Sequence, residues 1–178
     1  NVPIMLEAFY KTHNYLVDHV QVPARRLLMD EINWNDRLIA IKGGRGVGKT
    51  DFLLNYAKEL RTTNPELSKR TLYVNFNDFY FTEHSLVEFA GEFVAAGGHT
   101  LLIDQAFKYP NWSRELSQCY YNYKDLHIVF TASSVMRLVE DNKDLCSIVH
   151  PYNLRGFSFR EYLNVTLGLK LPAYSLEE

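Results

Sequence analysis

One stretch limits what this chain can fold into more than any other: GGRGVGKT, running from Gly43 to Thr50. It matches G-x-x-x-x-G-K-[ST] in full. Before it lies a short apolar run, residues 38–41, that reads as a buried strand. After it, Phe52, Leu53, Tyr56, Ala57 and Leu60 recur at helical spacing. A strand that passes through glycines into a helix is a device for gripping phosphate. Glycine lets the backbone wrap closely enough for its N–H groups to converge on an anion, and the helix adds the partial positive charge of its first turn. Gly43, Gly44, Gly46 and Gly48 form the cradle, Arg45 and Val47 fill the variable slots, and Asp51 follows in the first turn of the helix. Lys49 is placed to reach the outer phosphates of a nucleoside triphosphate, and the Thr50 hydroxyl to complete a Mg²⁺ shell. A glycine-rich turn that binds nothing is the alternative, and the flanking strand and helix argue against it. The cofactors expected from these residues are ATP and Mg²⁺.

The rest of the chain continues the alternation. Residues 4–28 read as helix in two pieces, broken near Val22-Pro23 because proline removes a backbone donor. Strands are predicted at 71–76, 99–104 and 127–131, and helices at 49–60, 83–96, 112–123 and 135–140, with a break at Asn64-Pro65. "YNLRGFSFREYL" reads as a fifth strand and a final helical turn. Strands rich in Ile, Leu and Val that alternate with helices predict an α/β fold of three layers, with a mostly parallel five-stranded sheet covered on both faces. Ligands of such sheets sit at the carboxyl ends of the strands. Residues 1–33 are read as an N-terminal helical segment, 34–166 as the core, and 167–178 as a linker.

Two further strand ends carry chemistry. "LLIDQAF" delivers Asp104 from an apolar strand, the arrangement of an acid that orders Mg²⁺ or its waters, although a helix cap or surface acid is possible there. Gln105 follows, where hydrolysis calls for a group that orients water and accepts its proton. An amide can orient water but cannot act as a base. "FTASS" places Thr131, Ser133 and Ser134 after the fourth strand, to hold the attacking water or touch the γ-phosphate, with capping of the next helix by Ser133 or Ser134 as the alternative.

Composition excludes several classes. Hydrophobic content of 47% and charged content of 22% over 178 residues describe a globular domain. A net charge of −2 gives no sign of nucleic acid or an anionic membrane as partner, and Arg25-Arg26 and Lys69-Arg70 read as ordinary solvated faces. No apolar run approaches membrane-spanning length. Two cysteines without metal-ligand spacing make a reduced, cytoplasmic setting the expectation. Asn77 and Asp78 either contact Mg²⁺ or water or form Asx turns. The aromatics of "YVNFNDFYF" read as core packing, since no basic residues flank them for nucleic-acid stacking. The first helices dock either on the core or on a partner.

Together, "IKGGRGVGKT", "LLIDQAFKYPNW", "IVFTASS" and "NLRGFSFREYL" resemble the prokaryotic AAA-type ATPases that join an ATPase module to a C-terminal nuclease-like domain. The resemblance implies a P-loop NTPase core of the AAA type, with Gly43 to Thr50 as its Walker A loop and Asp104 as the Walker B acid. It puts Ser133 or Ser134 in the sensor loop. The residues it assigns to catalysis are therefore Lys49, Asp104, Gln105, Ser133 and Ser134, with Thr50 and Asp104 as metal ligands. It also implies a further domain beyond residues 167–178 and the possibility of a homo-oligomer. The chain departs from the family pattern in three places: Gln105 replaces Glu, Ala132 replaces the glycine of T-G-S-S, and "DLCSIVHPYNL" holds no arginine before the fifth strand. The function this implies is slow Mg²⁺-dependent ATP hydrolysis, with a non-hydrolysing nucleotide switch or scaffold as the alternative. Lys49→Ala is expected to abolish ATP binding in a calorimetric titration; retained affinity would contradict the phosphate-loop assignment.

Overall fold

In the computed structural model the described residues are 2–21, 25–134 and 142–156, together with Glu161, Leu163, Leu167 and Gly168. The chain opens with α1 (Ile4–His19) and the single turn α2 (Leu28–Glu31), then enters β1 (Leu38–Gly43) and α3 (Lys49–Thr63). A short α4 (Pro65–Lys69) leads into β2 (Thr71–Asn75), followed by α5 (Tyr80–Glu83), α6 (Leu86–Ala95) and β3 (Thr100–Asp104). A 3₁₀ turn at Ala106–Lys108 precedes α7 (Trp112–Asn122), β4 (His127–Ser133) and β5 (His150–Asn153). The strands form one five-stranded sheet in the order β2-β3-β4-β1-β5, and every neighbouring pair is parallel.

Alternation along the strands builds a core on each face. Leu38, Ala40, Leu72, Val74, Leu101, Ile103, Ile128 and Phe130 turn toward α6 and α7, where Phe89, Phe93, Leu116 and Cys119 meet them. Ile39, Ile41, Tyr73, Leu102 and Val129 turn the other way, onto Phe52, Leu53, Tyr56 and Ala57 of α3. This is the three-layer α/β arrangement that the sequence pattern predicts.

Local chemistry explains where several elements begin. Pro65 starts a helix as well as breaking one, because it occupies the first turn and Asn64 Oδ1 accepts from Leu67 N–H at 3.2 Å. A separate turn, α5, ends at Glu83, and the helix expected over 83–96 begins later, at Leu86 after the cap residue Ser85. There the Ser85 hydroxyl and the Glu88 carboxylate satisfy each other's backbone N–H groups in a capping box. The fourth strand runs two residues beyond its expected end, through Ala132 and Ser133, because both pair with β1. The break near Val22-Pro23, the expected helix at 135–140 and most of the stretch after Gly156 lie outside the described residues. Among the described residues no helix is long and apolar enough to cross a membrane.

The first helix docks on the core. Leu6 and Phe9 pack into the cluster on one face of the sheet, and Val17 into the cluster on the other, so α1 straddles the edge strand β2. Midway between them, buried His13 accepts the Tyr73 N–H at 2.9 Å through Nδ1. That donor belongs to a strand edge that has no ladder partner on its outer side. Burial, reinforced by the Arg61 charge and opposed by Asp18, lowers the His13 pKa from 6.5 to about 4. In the unfolded chain this imidazole protonates near the ordinary value; in the folded chain it stays neutral until much lower pH. Its contribution is therefore fully present above pH 6.5 and is lost as pH falls from there toward 4, to a total on the order of 3 kcal/mol. Urea midpoints measured across that window should fall steeply in the wild type. His13→Gln, which can accept without titrating, should give a shallower slope; equal slopes would rule out His13 as a source of the acid sensitivity.

Candidate functional site

The site forms where β1, β3 and β4 end side by side. From Gly43 the chain turns through the loop and enters α3 at Gly48, whose φ of +95° suits only a residue without Cβ. Gly48 is the helix N-cap and offers no side-chain acceptor, so the first amides of α3 are left for a ligand to satisfy. Gly43 is needed for a different reason: a Cβ there would lie 2.8 Å from both the Leu154 carbonyl and Val47 Cγ2. Beside it, the Lys49 ammonium donates to the Gly43 carbonyl at 2.6 Å. Partial burial lowers the Lys49 pKa from its ordinary value, while the charge of Asp104 acts in the opposite sense.

Asp104 is 2% exposed and collects hydroxyls from three elements. Oδ2 accepts from Thr50 at the start of α3 at 2.5 Å and from the Tyr73 phenol of β2 at 2.8 Å. Oδ1 accepts from Thr131 of β4 at 2.8 Å. Burial first, then the charge and hydrogen bond of Asp104, push the Tyr73 pKa far up, so this phenol is a permanent donor. Sequence reasoning missed Tyr73, reading it as strand packing. It also left Thr131 among the candidates for holding water. In the structure Thr131 lines the cleft but is buried, and its hydroxyl donates to Asp104 while accepting the Gln105 N–H at 3.1 Å.

Gln105 leaves the strand in the left-handed region, at φ 57° and ψ 35°. For a residue with a Cβ that conformation costs on the order of 1 kcal/mol, here offset by its N–H bond to Thr131. Its side-chain carbonyl accepts from the Asn77 amide. Asn77 is itself set by an Asx turn, its N–H bonded to Asn75 Oδ1 at 2.8 Å, and Asp78 Oδ1 is occupied by Tyr80 N–H at 2.9 Å. Asp78 thus serves a turn. Ser133 closes β4 opposite Gly43, and Ser134 N–H donates to the Gly43 carbonyl at 3.1 Å, so both serines sit against the phosphate loop.

These elements enclose a cleft of about 750 Å³. Gly43, Gly44, Arg45, Gly46, Gly48, Lys49, Thr50 and Asp51 line one wall, and Asp104, Gln105, Thr131, Ser133 and Ser134 the other. Phe107 and Lys108, which the sequence did not single out, complete the rim. Val47, Asn77 and Asp78 are the predicted residues that do not border the cleft. The Val47 side chain packs on the α3-side core, and its carbonyl accepts from Arg26 Nη1 at 2.9 Å. Arg26, read from sequence as part of a solvated face, is 8% exposed. Only its neighbour Arg25 fits that reading, pairing with Glu59 and Asp30 near the surface.

A family profile described as AAA domain matches residues 35–163. No curated protein sequence matches the chain. Among solved structures, domain III of the Thermotoga maritima replication initiation protein DnaA aligns over 92% of this chain and 68% of its own, at 17% identity and a TM-score of 0.51. C. elegans PCH-2 aligns over 83% of this chain and 42% of its own, at 17% identity and a TM-score of 0.49. AMPPCP-bound DnaA from Aquifex aeolicus aligns over 96% of this chain and 55% of its own, at 17% identity and a TM-score of 0.46. The chain thus spans less than half of the PCH-2 chain and little over half of the Aquifex one. At this identity the likeness to the Thermotoga domain is one of fold alone. For the site itself, Thr131→Val removes a donor from Asp104 and strands the Gln105 N–H, a loss on the order of 3 kcal/mol. Tyr73→Phe removes one donor and should cost about half as much. Urea unfolding at neutral pH measures both, and equal losses would contradict the double role of Thr131.

Proposed function

The chain belongs to the AAA domain family, and on that premise we propose that it binds ATP with Mg²⁺ in the cleft beside the Gly43-to-Thr50 loop and hydrolyses it slowly. One observation carries the reading: the Thr50 hydroxyl and the Asp104 carboxylate meet at 2.5 Å, at the foot of a helix N-terminus and next to Lys49. A hydroxyl and a carboxylate are the hard oxygen donors that Mg²⁺ takes while keeping most of its waters, so the residues fit the ion. When bound, Mg²⁺ would neutralise charge on the β- and γ-phosphates. The chain's own part is to bind and orient. The loop amides and the first turn of α3 hold the phosphates, and Lys49 exchanges the Gly43 carbonyl for a phosphate oxygen. Ser133 and Ser134 supply hydroxyls on the opposite wall, where they can orient water.

Proton removal is the weak step. Gln105 stands where a base would act, and an amide can align water without taking its proton. A missing general base costs about 10²- to 10⁴-fold in rate. The pairing of the Gln105 carbonyl with Asn77 favours a second reading, a nucleotide-dependent switch without turnover, because it engages the one acceptor this side chain has. Gln105→Glu separates the two. If the site is otherwise competent, phosphate release should rise at least about tenfold; an unchanged rate would leave the switch as the better account.

A further inference from the structure

Each nitrogen of the buried Arg26 guanidinium serves a different segment. Nε donates to Glu161 Oε2 at 3.0 Å, Nη1 to the Val47 carbonyl at 2.9 Å, and Nη2 to the Arg155 carbonyl. Glu161 is 5% exposed, and its Oε2 also accepts the Leu27 N–H at 3.1 Å. The contact with the phosphate loop falls on its outer side. Wrapping the loop amides inward on an anion turns carbonyls outward, and the Val47 carbonyl is the one that Arg26 takes. Nη1 also lies 3.7 Å from where a Cβ of Gly48 would sit, so the guanidinium backs the loop at the point where it becomes helix.

A buried ion pair adds little stability that an apolar pair would not. The planar fork of an arginine does something an apolar residue cannot: it fixes the relative positions of three chain segments at once. If the loop moves, the Val47 bond strains, and the Glu161 and Arg155 bonds must adjust. We propose that Arg26 is a positioning residue that couples occupancy of the phosphate cleft to Arg155 and Glu161, which follow β5 in the chain. The inference rests on the nucleotide reading above. By linkage, whatever order ATP gives the loop is passed to those two residues, and holding them firmly favours ATP in return.

The Leu27 amide reports on the coupling directly, since its hydrogen bond ends on Glu161. Hydrogen exchange of the wild-type protein, with and without saturating Mg·ATP, should show Leu27 exchanging about fivefold more slowly when nucleotide is bound. Arg26→Lys keeps a cation for Glu161 but cannot reach both carbonyls. It should retain the wild-type circular dichroism spectrum, bind Mg·ATP about tenfold more weakly in calorimetry, and lose the exchange response. The paired change Arg26→Met with Glu161→Met removes both members of the ion pair together and should lose the response too. Wild-type affinity and an intact response in Arg26→Lys would overturn the role of Arg26. Binding by the wild type with no change in Leu27 exchange would overturn the coupling alone, and this measurement needs no variant to fold. Failure of the wild type to bind Mg·ATP would remove the nucleotide reading and the coupling together.

Discussion

A carboxylate with only 2% of its surface exposed persists as part of a fold when hydroxyls or amides surround it, because an unpaired buried charge is too costly to keep. Asp104 meets that condition with Thr50, Tyr73 and Thr131, drawn from α3, β2 and β4. This one requirement explains much of the architecture around it. It needs β3 between β2 and β4, in the register that sets Asn75 beside Asp104 and brings Tyr73 one pleat below it. It needs the helix after the phosphate loop to start with its hydroxyl facing the sheet. It also fixes the exit of β3, since the hydroxyl that donates to Asp104 accepts from Gln105 and turns the backbone left-handed there.

The parts of this arrangement that were legible in the sequence are those encoded by spacing along the chain. The phosphate loop is contiguous, and the strands before Gly43 and Asp104 announce themselves by apolar runs with turn residues after them. Tyr73 was not legible, because its role depends on the pairing of β2 with β3. Only once Tyr73 is set against Leu102 does the pleat put its phenol on the same face as Asp104 and Thr131. Arg26 was hidden for a related reason. Beside a second arginine in a weakly patterned stretch it reads as solvated, and nothing local tells that Val47 and Glu161 fold against it. The start of α6 after Ser85 was legible in principle, since Ser-x-x-Glu before an apolar run is a capping-box signature, but helical spacing on both sides masked it.

Gln105 illustrates how backbone and side chain contribute separately to a site. Its position is set by main-chain constraints, the left-handed turn and the amide bond to Thr131, neither of which depends on the side chain. What the residue does chemically depends on the side chain alone, and there Asn77 engages its carbonyl. The main chain thus fixes where residue 105 sits, and an amide, which does not take a proton at ordinary pH, is what it presents there.

Tyr73 is gripped at both ends, its backbone by His13 of the first helix and its phenol by Asp104. It works like a spoke, joining the outer rim of the sheet to the hub of the cleft. The family match begins at residue 35, well after α1, so a fragment trimmed to those residues would keep every motif and lose the rim. Such a fragment would expose an unsatisfied strand edge and leave the acid at the centre less firmly braced.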